Sequence, residues 1–319
     1  MKKSIAISHF WPLPENLLNK IKSTAPHHDL INLTDNPTDV QLSSVEILFG
    51  NVGMDIINKM QNLKWVHAQT AGVEMYLNPK NPLSTDIYLT NSSGAYGISI
   101  AEHMLCFTLM LLRNTPDYLR QQHDHIWKGI SNSRNLHDCN VAVVGMGDIG
   151  GRYAYLCNKM GATVNGVVRT PREHKPQYVD NVYTINKICE AVKDADIIAF
   201  ALPGTNETMG ILSRELLSFA KKGVFILNIG RGSAIDQAAL VELLQSGHVG
   251  GAALDVTSPE PLPPDSPIWD MPNVIITPHV SHGGRDNTSK LVVEKFVKNL
   301  NDYLTNKPFE RVVNREAGY

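Results

Sequence analysis

The stretch Val141-Ala142-Val143-Val144-Gly145-Met146-Gly147-Asp148-Ile149-Gly150 decides the fold. Its four small or β-branched apolar residues read as a buried strand, and the glycine that stops them opens a helix. Each of the three glycines has its own task. Gly145 permits the tight turn, Gly147 lets a pyrophosphate approach the backbone, and Gly150 lets the helix pack onto the strand. The start of the helix, at Asp148, Ile149 and Gly150, then faces the phosphates. A G-x-G-x-x-G triplet is weak by itself, and its position between strand and helix is what makes it a dinucleotide fingerprint.

The same grammar continues downstream. Thr163–Val168, Ile197–Ala201, Val224–Ile229, Ala252–Val256 and Val274–Thr277 read as buried parallel strands. Residues 148–160, 186–193, 213–220 and 236–246 between them read as helices, with Ser213 and Asp236 as caps. This is a doubly wound sheet of Rossmann type. The first hundred residues repeat the pattern with strands at Ile5–Ser8, Leu30–Asn32, Val45–Phe49, Leu63–Ala68 and Asp86–Thr90 and helices at 14–23 and 54–60. Residues 98–112 are apolar on nearly every face, as expected of a helix buried between two bodies. Val292, Phe296, Leu300 and Tyr303 recur at helical spacing too late to belong to the second sheet, so this helix is expected to return to the first unit. The fold class is therefore α/β, with two Rossmann-like or flavodoxin-like domains, each a doubly wound parallel sheet, and a cleft between them. Residues 1–100 plus 285–319 form the expected substrate domain and 101–284 the dinucleotide-binding domain.

Bulk properties narrow the ligand. A chain of 319 residues is long enough for two domains. Its 29 Lys and Arg against 31 Asp and Glu give no electrostatic case for nucleic acid or a membrane surface, so a small-molecule partner is expected. Cys106, Cys139, Cys157 and Cys189 contain no C-x-x-C pair, and all four are expected to be reduced and buried. Neither they nor the histidines form a metal-ligand cluster, so no metal is expected. The residues after Met1 lack the long apolar core of a signal peptide, and the densest apolar run, Met104–Leu112, is too short to span a bilayer. A soluble cytoplasmic protein is the expectation.

Chemistry concentrates at strand ends, where open α/β sheets bind ligands. Arg231 follows the strand Val224–Ile229, where its guanidinium can grip a carboxylate by two parallel hydrogen bonds and polarise the adjoining ketone. The competing reading is a structural salt bridge. His279 follows Thr277-Pro278 at the end of the last strand, placed to give a proton to a ketone oxygen as hydride arrives at the carbon, or to take it back in oxidation. Glu260, in the proline-rich loop 259–264, is the charge that orients the imidazole and favours its protonated form. The second strand ends Val168-Arg169-Thr170 with no carboxylate at its tip. Arg169, with Thr170 and Arg172 as further donors, suits a 2′-phosphate, so NADP(H) is favoured over NAD(H). In the alternative, Arg169 is a solvated strand-end charge and Glu173 grips the ribose of NAD.

Several motifs in order carry a resemblance. They are Ala68-Gln69-Thr70-Ala71-Gly72-Val73-Glu74, Asn91-Ser92-Ser93-Gly94 with Ile100-Ala101-Glu102-His103, the glycine turn, Ala201-Leu202-Pro203-Gly204-Thr205-Asn206-Glu207-Thr208, Leu227-Asn228-Ile229-Gly230-Arg231-Gly232, Leu254-Asp255-Val256, and Pro259-Glu260-Pro261 with Thr277-Pro278-His279. Nearly end to end, the chain resembles the D-isomer-specific 2-hydroxyacid dehydrogenases, in particular a glyoxylate/hydroxypyruvate reductase-like, NADPH-preferring branch. The resemblance implies a catalytic triad of Arg231, Glu260 and His279, and a substrate carboxylate held by backbone amides of Ala71, Gly72 and Val73 together with Arg231 and His279. Leu202, Pro203, Thr208, Asn228, Ile229, Gly230, Asp255 and His279 are expected to line the cofactor, Asp255 by accepting from the carboxamide. Tyr96, Trp269 and Asn51 border the substrate or, for the aromatics, pack in the core. Residues 117–138, with Trp127, resemble the arm through which relatives form homodimers; otherwise they are a wet surface loop.

The implied reaction is reduction of a small 2-ketoacid, such as glyoxylate, hydroxypyruvate or a branched 2-ketoacid, to the D-2-hydroxyacid. The alternatives are an NAD-linked enzyme of the same family acting on phosphoglycerate, formate or phosphite, and a non-catalytic nucleotide-sensing protein of corepressor type. A hydrolase that keeps a bound NAD is disfavoured, because no nucleophile stands beside a general base.

Overall fold

The computed structural model describes residues 3–8, 12–35, 37–171, 173–283 and 285–319. The chain divides into two units, Met1–Tyr96 with Gly284–Tyr319, and Gly97–Gly283.

The first unit is built on β1 (Ser4–Ser8), β2 (Asp29–Asn32), β3 (Val45–Gly50), β4 (Trp65–Ala68) and β5 (Tyr88–Asn91), all parallel and in the order β2-β1-β3-β4-β5. That is the flavodoxin-like order. Side chains alternate between faces along each strand. Ile5, Ile7, Ile47, Phe49 and Trp65 meet α1 (Glu15–Thr24) and the chain's last helix in one core, while Ala6, Leu48, Val66 and Ala68 face a second core. In the first core the ring of Phe296, from the last helix, stacks on Phe49 at 4.2 Å between centroids. The short helices α2 (Asp39–Ser43) and α3 (Met54–Ile57) complete this part of the unit.

The second unit opens with α4 (Gly97–Leu112) and α5 (Thr115–His123), followed by β6 (Asn140–Val144), α6 (Asp148–Lys159), β7 (Thr163–Val168), β8 (Asn181–Thr184), α7 (Ile188–Val192), β9 (Ile197–Phe200), α8 (Arg214–Phe219), β10 (Val224–Asn228), α9 (Gln237–Gln245), β11 (Val249–Leu254) and β12 (Val274–Ile276). The last helix, α10 (Arg285–Leu304), returns to the first unit. The strands form one parallel sheet in the order β12-β11-β10-β9-β6-β7-β8, the Rossmann arrangement with one further strand. Ser213 and Asp236 cap α8 and α9 through side-chain oxygens. Among the described residues no helix is long and apolar enough to cross a membrane.

Three expectations need correction. α4 is not buried all round: Ile100, Ala101, Met104, Phe107, Thr108, Leu111 and Leu112 form one buried stripe, whereas Ile98, Glu102 and Cys106 are exposed. Its apolar excess exceeds what one stripe requires. Only Cys139 and Cys157 are buried, Cys106 being exposed and Cys189 intermediate, although all four are free thiols. The segment 117–138, expected to be an arm or a surface loop, begins inside a helix of nine residues, α5, about two and a half turns long, before Ile126 and a fully exposed Trp127.

Candidate active site

The turn after β6 fits a dinucleotide for reasons visible in its geometry. Gly145 has φ +99°, and a Cβ there would lie 2.6 Å from the Ala201 carbonyl oxygen, so glycine is required twice over. A Cβ at Gly150 would lie 2.0 Å from the Gly145 carbonyl oxygen, which places the helix too close to the turn for any side chain. Gly147 differs. Its backbone is extended, and a Cβ built on it meets nothing within 4 Å. The fold does not demand glycine here; the position opens on space that a side chain would enter. Among the described residues no side chain caps α6 and no hydrogen bond is donated by the amides of Asp148, Ile149 or Gly150. Uncapped amides at a helix N-terminus form an anion site. The Asp148 carboxylate does not block it: Oδ1 accepts from Arg152 Nε at 2.8 Å.

Arg169 and Thr170 follow β7 directly and are exposed. Arg169 Nη2 donates to Glu207 Oε1 at 3.0 Å. Arg172 lies outside the described residues. In the loop after β9 the Thr208 hydroxyl lies 2.7 Å from the Pro203 carbonyl and accepts from the Thr205 amide at 3.0 Å, so Thr208 shapes the loop from within.

The segment Asn228-Ile229-Gly230-Arg231-Gly232 is wedged between its neighbours. A Cβ on Gly230 would lie 2.5 Å from the Leu202 carbonyl oxygen, and one on Gly232 would lie 1.8 Å from that of Thr257. Asn228 is fully buried; its Nδ2 donates to the Arg231 carbonyl at 2.9 Å and its Oδ1 accepts from the Gly230 amide at 3.1 Å. Arg231 is thus carried on backbone fixed from both sides, and its Nη1 donates to the Gly230 carbonyl at 2.7 Å.

His279 sits on a left-handed residue, φ +53°. Such a conformation costs a non-glycine residue roughly 1–2 kcal/mol, and Asp255 is what holds it. The His279 amide donates to the Asp255 carbonyl at 2.8 Å. The Asp255 carboxylate accepts from Thr277 Oγ1 at 2.6 Å, from the Val280 amide at 2.9 Å and from the Ser281 amide at 3.1 Å. Burial works to raise the carboxyl pKa, but the bonds from Ser281, Thr277 and the two amides outweigh it and leave it lowered. Thr277 Oγ1 also lies 3.2 Å from His103 Nε2, which extends the network to α4. With the turn so fixed, His279 Nδ1 lies 2.8 Å from Glu260 Oε1, both side chains a little under half exposed. Glu260 lies between the cis bonds Ser258–Pro259 and Glu260–Pro261. Trp269 is half exposed and donates to the Pro263 carbonyl at 2.9 Å, fastening the same loop.

In the first unit, Ala71, Gly72 and Val73 follow β4. Asn51 and Tyr96 reach this loop: Asn51 Oδ1 accepts from the Gln69 amide at 3.0 Å, and the Tyr96 hydroxyl bonds the Gln69 carbonyl. Sequence reasoning gave no role to Asn91, Thr277 or Ser281. An asparagine ending a strand beside a glycine loop was the available signal for the first. The other two flank His279 so closely that their part emerges only from the turn they build. Among the described residues no group of three His, Cys, Asp or Glu is placed to hold a metal ion.

The family described as D-isomer specific 2-hydroxyacid dehydrogenase, NAD binding domain, matches residues 105–281, and the chain belongs to it. A D-3-phosphoglycerate dehydrogenase of Bacillus subtilis (strain 168) is 34% identical over 71% of this chain, which spans 42% of that relative's length. Among solved structures, a D-isomer specific 2-hydroxyacid dehydrogenase from Xanthobacter autotrophicus Py2, in complex with NADPH and MES, aligns over 100% of both chains with TM-score 0.87 and 25% identity. An NADPH-dependent glyoxylate/hydroxypyruvate reductase from Sinorhizobium meliloti, in complex with NADP and sulfate, aligns over 100% of both with TM-score 0.87 and 27% identity. The protein is an oxidoreductase with an NAD(P)-binding domain, as the glycine turn predicts, and the expected α/β architecture of two parallel sheets is the observed one.

Proposed function

We propose that this dehydrogenase reduces a small 2-ketoacid, glyoxylate or hydroxypyruvate, to the D-2-hydroxyacid, with NADPH preferred over NADH. The observation that carries the reading is the His279–Glu260 pair at the carboxyl edge of the second sheet, two strands from the loop that bears Arg231. The amides of Asp148, Ile149 and Gly150 receive the pyrophosphate, and the backbone of Gly147 makes room for it. Arg169, aided by Thr170 and Arg172, receives the 2′-phosphate. Leu202, Pro203, Thr208, Asn228, Ile229, Gly230 and Asp255 border the rest of the cofactor. The reduced nicotinamide supplies the hydride. Arg231 holds the substrate carboxylate and polarises the ketone, and His279 Nε2 delivers a proton to the ketone oxygen; the backbone amides of Ala71, Gly72 and Val73 are a further carboxylate-binding group. Glu260 accepts a hydrogen bond from Nδ1 and so leaves Nε2 to the substrate.

Support for NADPH comes from the Arg169 strand end, where no carboxylate meets the ribose, and from the NADP(H) bound in both similar structures. For assembly we propose a homodimer through residues 117–138, where Leu119, Ile126 and Trp127 leave large apolar surface in solvent. The deciding experiment is turnover of glyoxylate and hydroxypyruvate with each reduced cofactor, beside oxidation of 3-phosphoglycerate with NAD. Activity on the ketoacids with NADPH supports the proposal. Activity on phosphoglycerate with NAD alone would replace it with the reading that the Bacillus relative favours. Cofactor binding without turnover of any of these acids would favour a nucleotide-sensing role.

A further inference from the structure

Four successive carbonyls of the loop after β4 are tied inward. The Tyr96 hydroxyl donates to Gln69 O, the Ser92 amide to Thr70 O at 3.1 Å, Asn91 Nδ2 to Ala71 O at 2.7 Å, and Thr70 Oγ1 to Gly72 O at 2.6 Å. In a trans peptide the carbonyl and the next N–H point in opposite directions. The amides of Thr70, Ala71, Gly72 and Val73 therefore face away from these ties, and among the described residues none of them donates a hydrogen bond. Successive N–H groups left on one side of a loop make a concavity for an anion.

The clamps are themselves fixed. Asn51 donates to Thr70 Oγ1 at 2.9 Å while its Oδ1 accepts from the Gln69 amide, so the Thr70 hydroxyl is left to donate to Gly72 O. Asn91 is buried, and its Oδ1 accepts from the Ser93 amide at 3.3 Å, which aims its Nδ2 at Ala71 O. Of the four peptides, the one between Ala71 and Gly72 is the easiest to turn over, because glycine accepts either sign of φ. Asn91 holds that peptide.

We infer that Asn91, supported by Asn51 and Tyr96, is a positioning residue for the substrate: it sets the direction of the 71–72 peptide and with it the polarity of an amide cradle for a carboxylate head group. This rests on the 2-ketoacid reading above. Were the peptide to flip, a carbonyl oxygen would replace an N–H against the carboxylate, turning attraction into repulsion.

Asn91→Asp tests the point, because aspartate keeps the shape but, ionised, has only acceptors. The Gly72 N–H then turns toward residue 91. The expected result is a KM for glyoxylate, and an inhibition constant for oxalate, raised about tenfold or more. NADPH affinity should stay within about twofold, since the dinucleotide binds residues of the other unit, and kcat should fall by less than KM rises. Tyr96→Phe removes only the donor to Gln69 O and is expected to raise KM about threefold with the fold retained. A folded Asn91→Asp protein with the parent KM and oxalate inhibition overturns the inference. If that variant does not fold, an unchanged KM and oxalate inhibition in Tyr96→Phe overturns it instead. A parent protein that neither reduces these acids nor binds oxalate refutes the functional reading, which is a different outcome.

Discussion

Nδ1 of His279 lies 2.8 Å from Oε1 of Glu260, 19 residues earlier in the chain. The pairing divides the two ring nitrogens between two tasks. Nδ1 donates to the carboxylate, and Nε2, which has no protein partner among the described residues, is left for a reacting oxygen. The carboxylate fixes the ring and the Asp255 network fixes the turn that carries it, so the imidazole is positioned before any substrate arrives.

Replacing His279 by Ala should lower kcat by roughly 10²–10⁴-fold, the usual contribution of a general acid, while NADPH affinity changes little. Glu260→Gln keeps a hydrogen-bond partner for Nδ1 but removes its charge, and its kcat should lie between those of the parent and the alanine variant. Steady-state kinetics beside a fluorescence titration of cofactor separate the two effects. A His279→Ala protein with parental kcat would remove the residue from the chemistry.

The three glycines of the turn should respond differently to the same change. At Gly150 an added Cβ meets the Gly145 carbonyl oxygen at 2.0 Å, so Gly150→Ala should destabilise the second unit by roughly 3 kcal/mol or more. At Gly147 the Cβ meets nothing and the backbone is extended, so Gly147→Ala should leave the melting temperature unchanged or slightly higher. Its cost should appear only in cofactor affinity, as a loss of about tenfold or more. Equal affinity for NADPH in Gly147→Ala and parent would show that no pyrophosphate approaches there.

These glycines also mark what the sequence makes legible. Strand cores such as Val141–Val144 and Val224–Leu227 are continuous apolar runs, which makes the second sheet legible in the sequence. β8, by contrast, is four residues of mixed polarity at the sheet edge, exposed enough that no apolar run is needed, so nothing in its sequence marks it as a strand. α2 is held by a capping box between Thr38 and Gln41 more than by an apolar stripe. At the site, Arg231, Glu260 and His279 announce themselves by type and place. The supports do not: which way the Ala71–Gly72 peptide points depends on Asn91, twenty residues away, and the turn at His279 depends on Asp255, just past the end of a different strand, β11. Such bonds are properties of the folded backbone, and no residue spacing encodes them.

Arg169 and Glu207 bear on cofactor choice. Their strands, β7 and β9, flank β6, so the 3.0 Å ion pair joins the two sides of the glycine turn. A 2′-phosphate arriving at Arg169 competes with that carboxylate. Arg169→Ala should therefore weaken NADPH about tenfold while changing NADH little. Glu207→Gln should act in the opposite sense and improve NADPH affinity about twofold to fivefold, an effect that shrinks as salt is raised. Measured as the ratio of KM values for the two cofactors, an unchanged preference in Arg169→Ala would point to NAD and the ribose grip of Glu173.

His67 makes the stability of the first unit depend on pH. It is fully buried in a chain of hydrogen bonds with one consistent direction: Trp65 Nε1 donates to Thr90 Oγ1 at 2.9 Å, and Thr90 Oγ1 lies 2.7 Å from His67 Nδ1. His67 Nε2 lies 3.2 Å from Ser92 Oγ, which donates to the Ala68 carbonyl at 3.1 Å. A neutral ring satisfies every member, because Nδ1 accepts and Nε2 donates. A second ring proton would face the Thr90 hydroxyl donor to donor. Burial, with repulsion from Lys295, accordingly pushes the pKa down from 6.5 to about 3. Between these two values the unfolded chain binds a proton that the folded one refuses, so stability rises with pH across this window and is lost as pH falls through it. The slope should approach 1.4 kcal/mol per pH unit from this residue alone. His67→Gln, which does not titrate, should cost stability at neutral pH but flatten the curve between about pH 6 and pH 4. Denaturant midpoints across that range measure it, and parallel curves for parent and variant would show that His67 is not the group responsible.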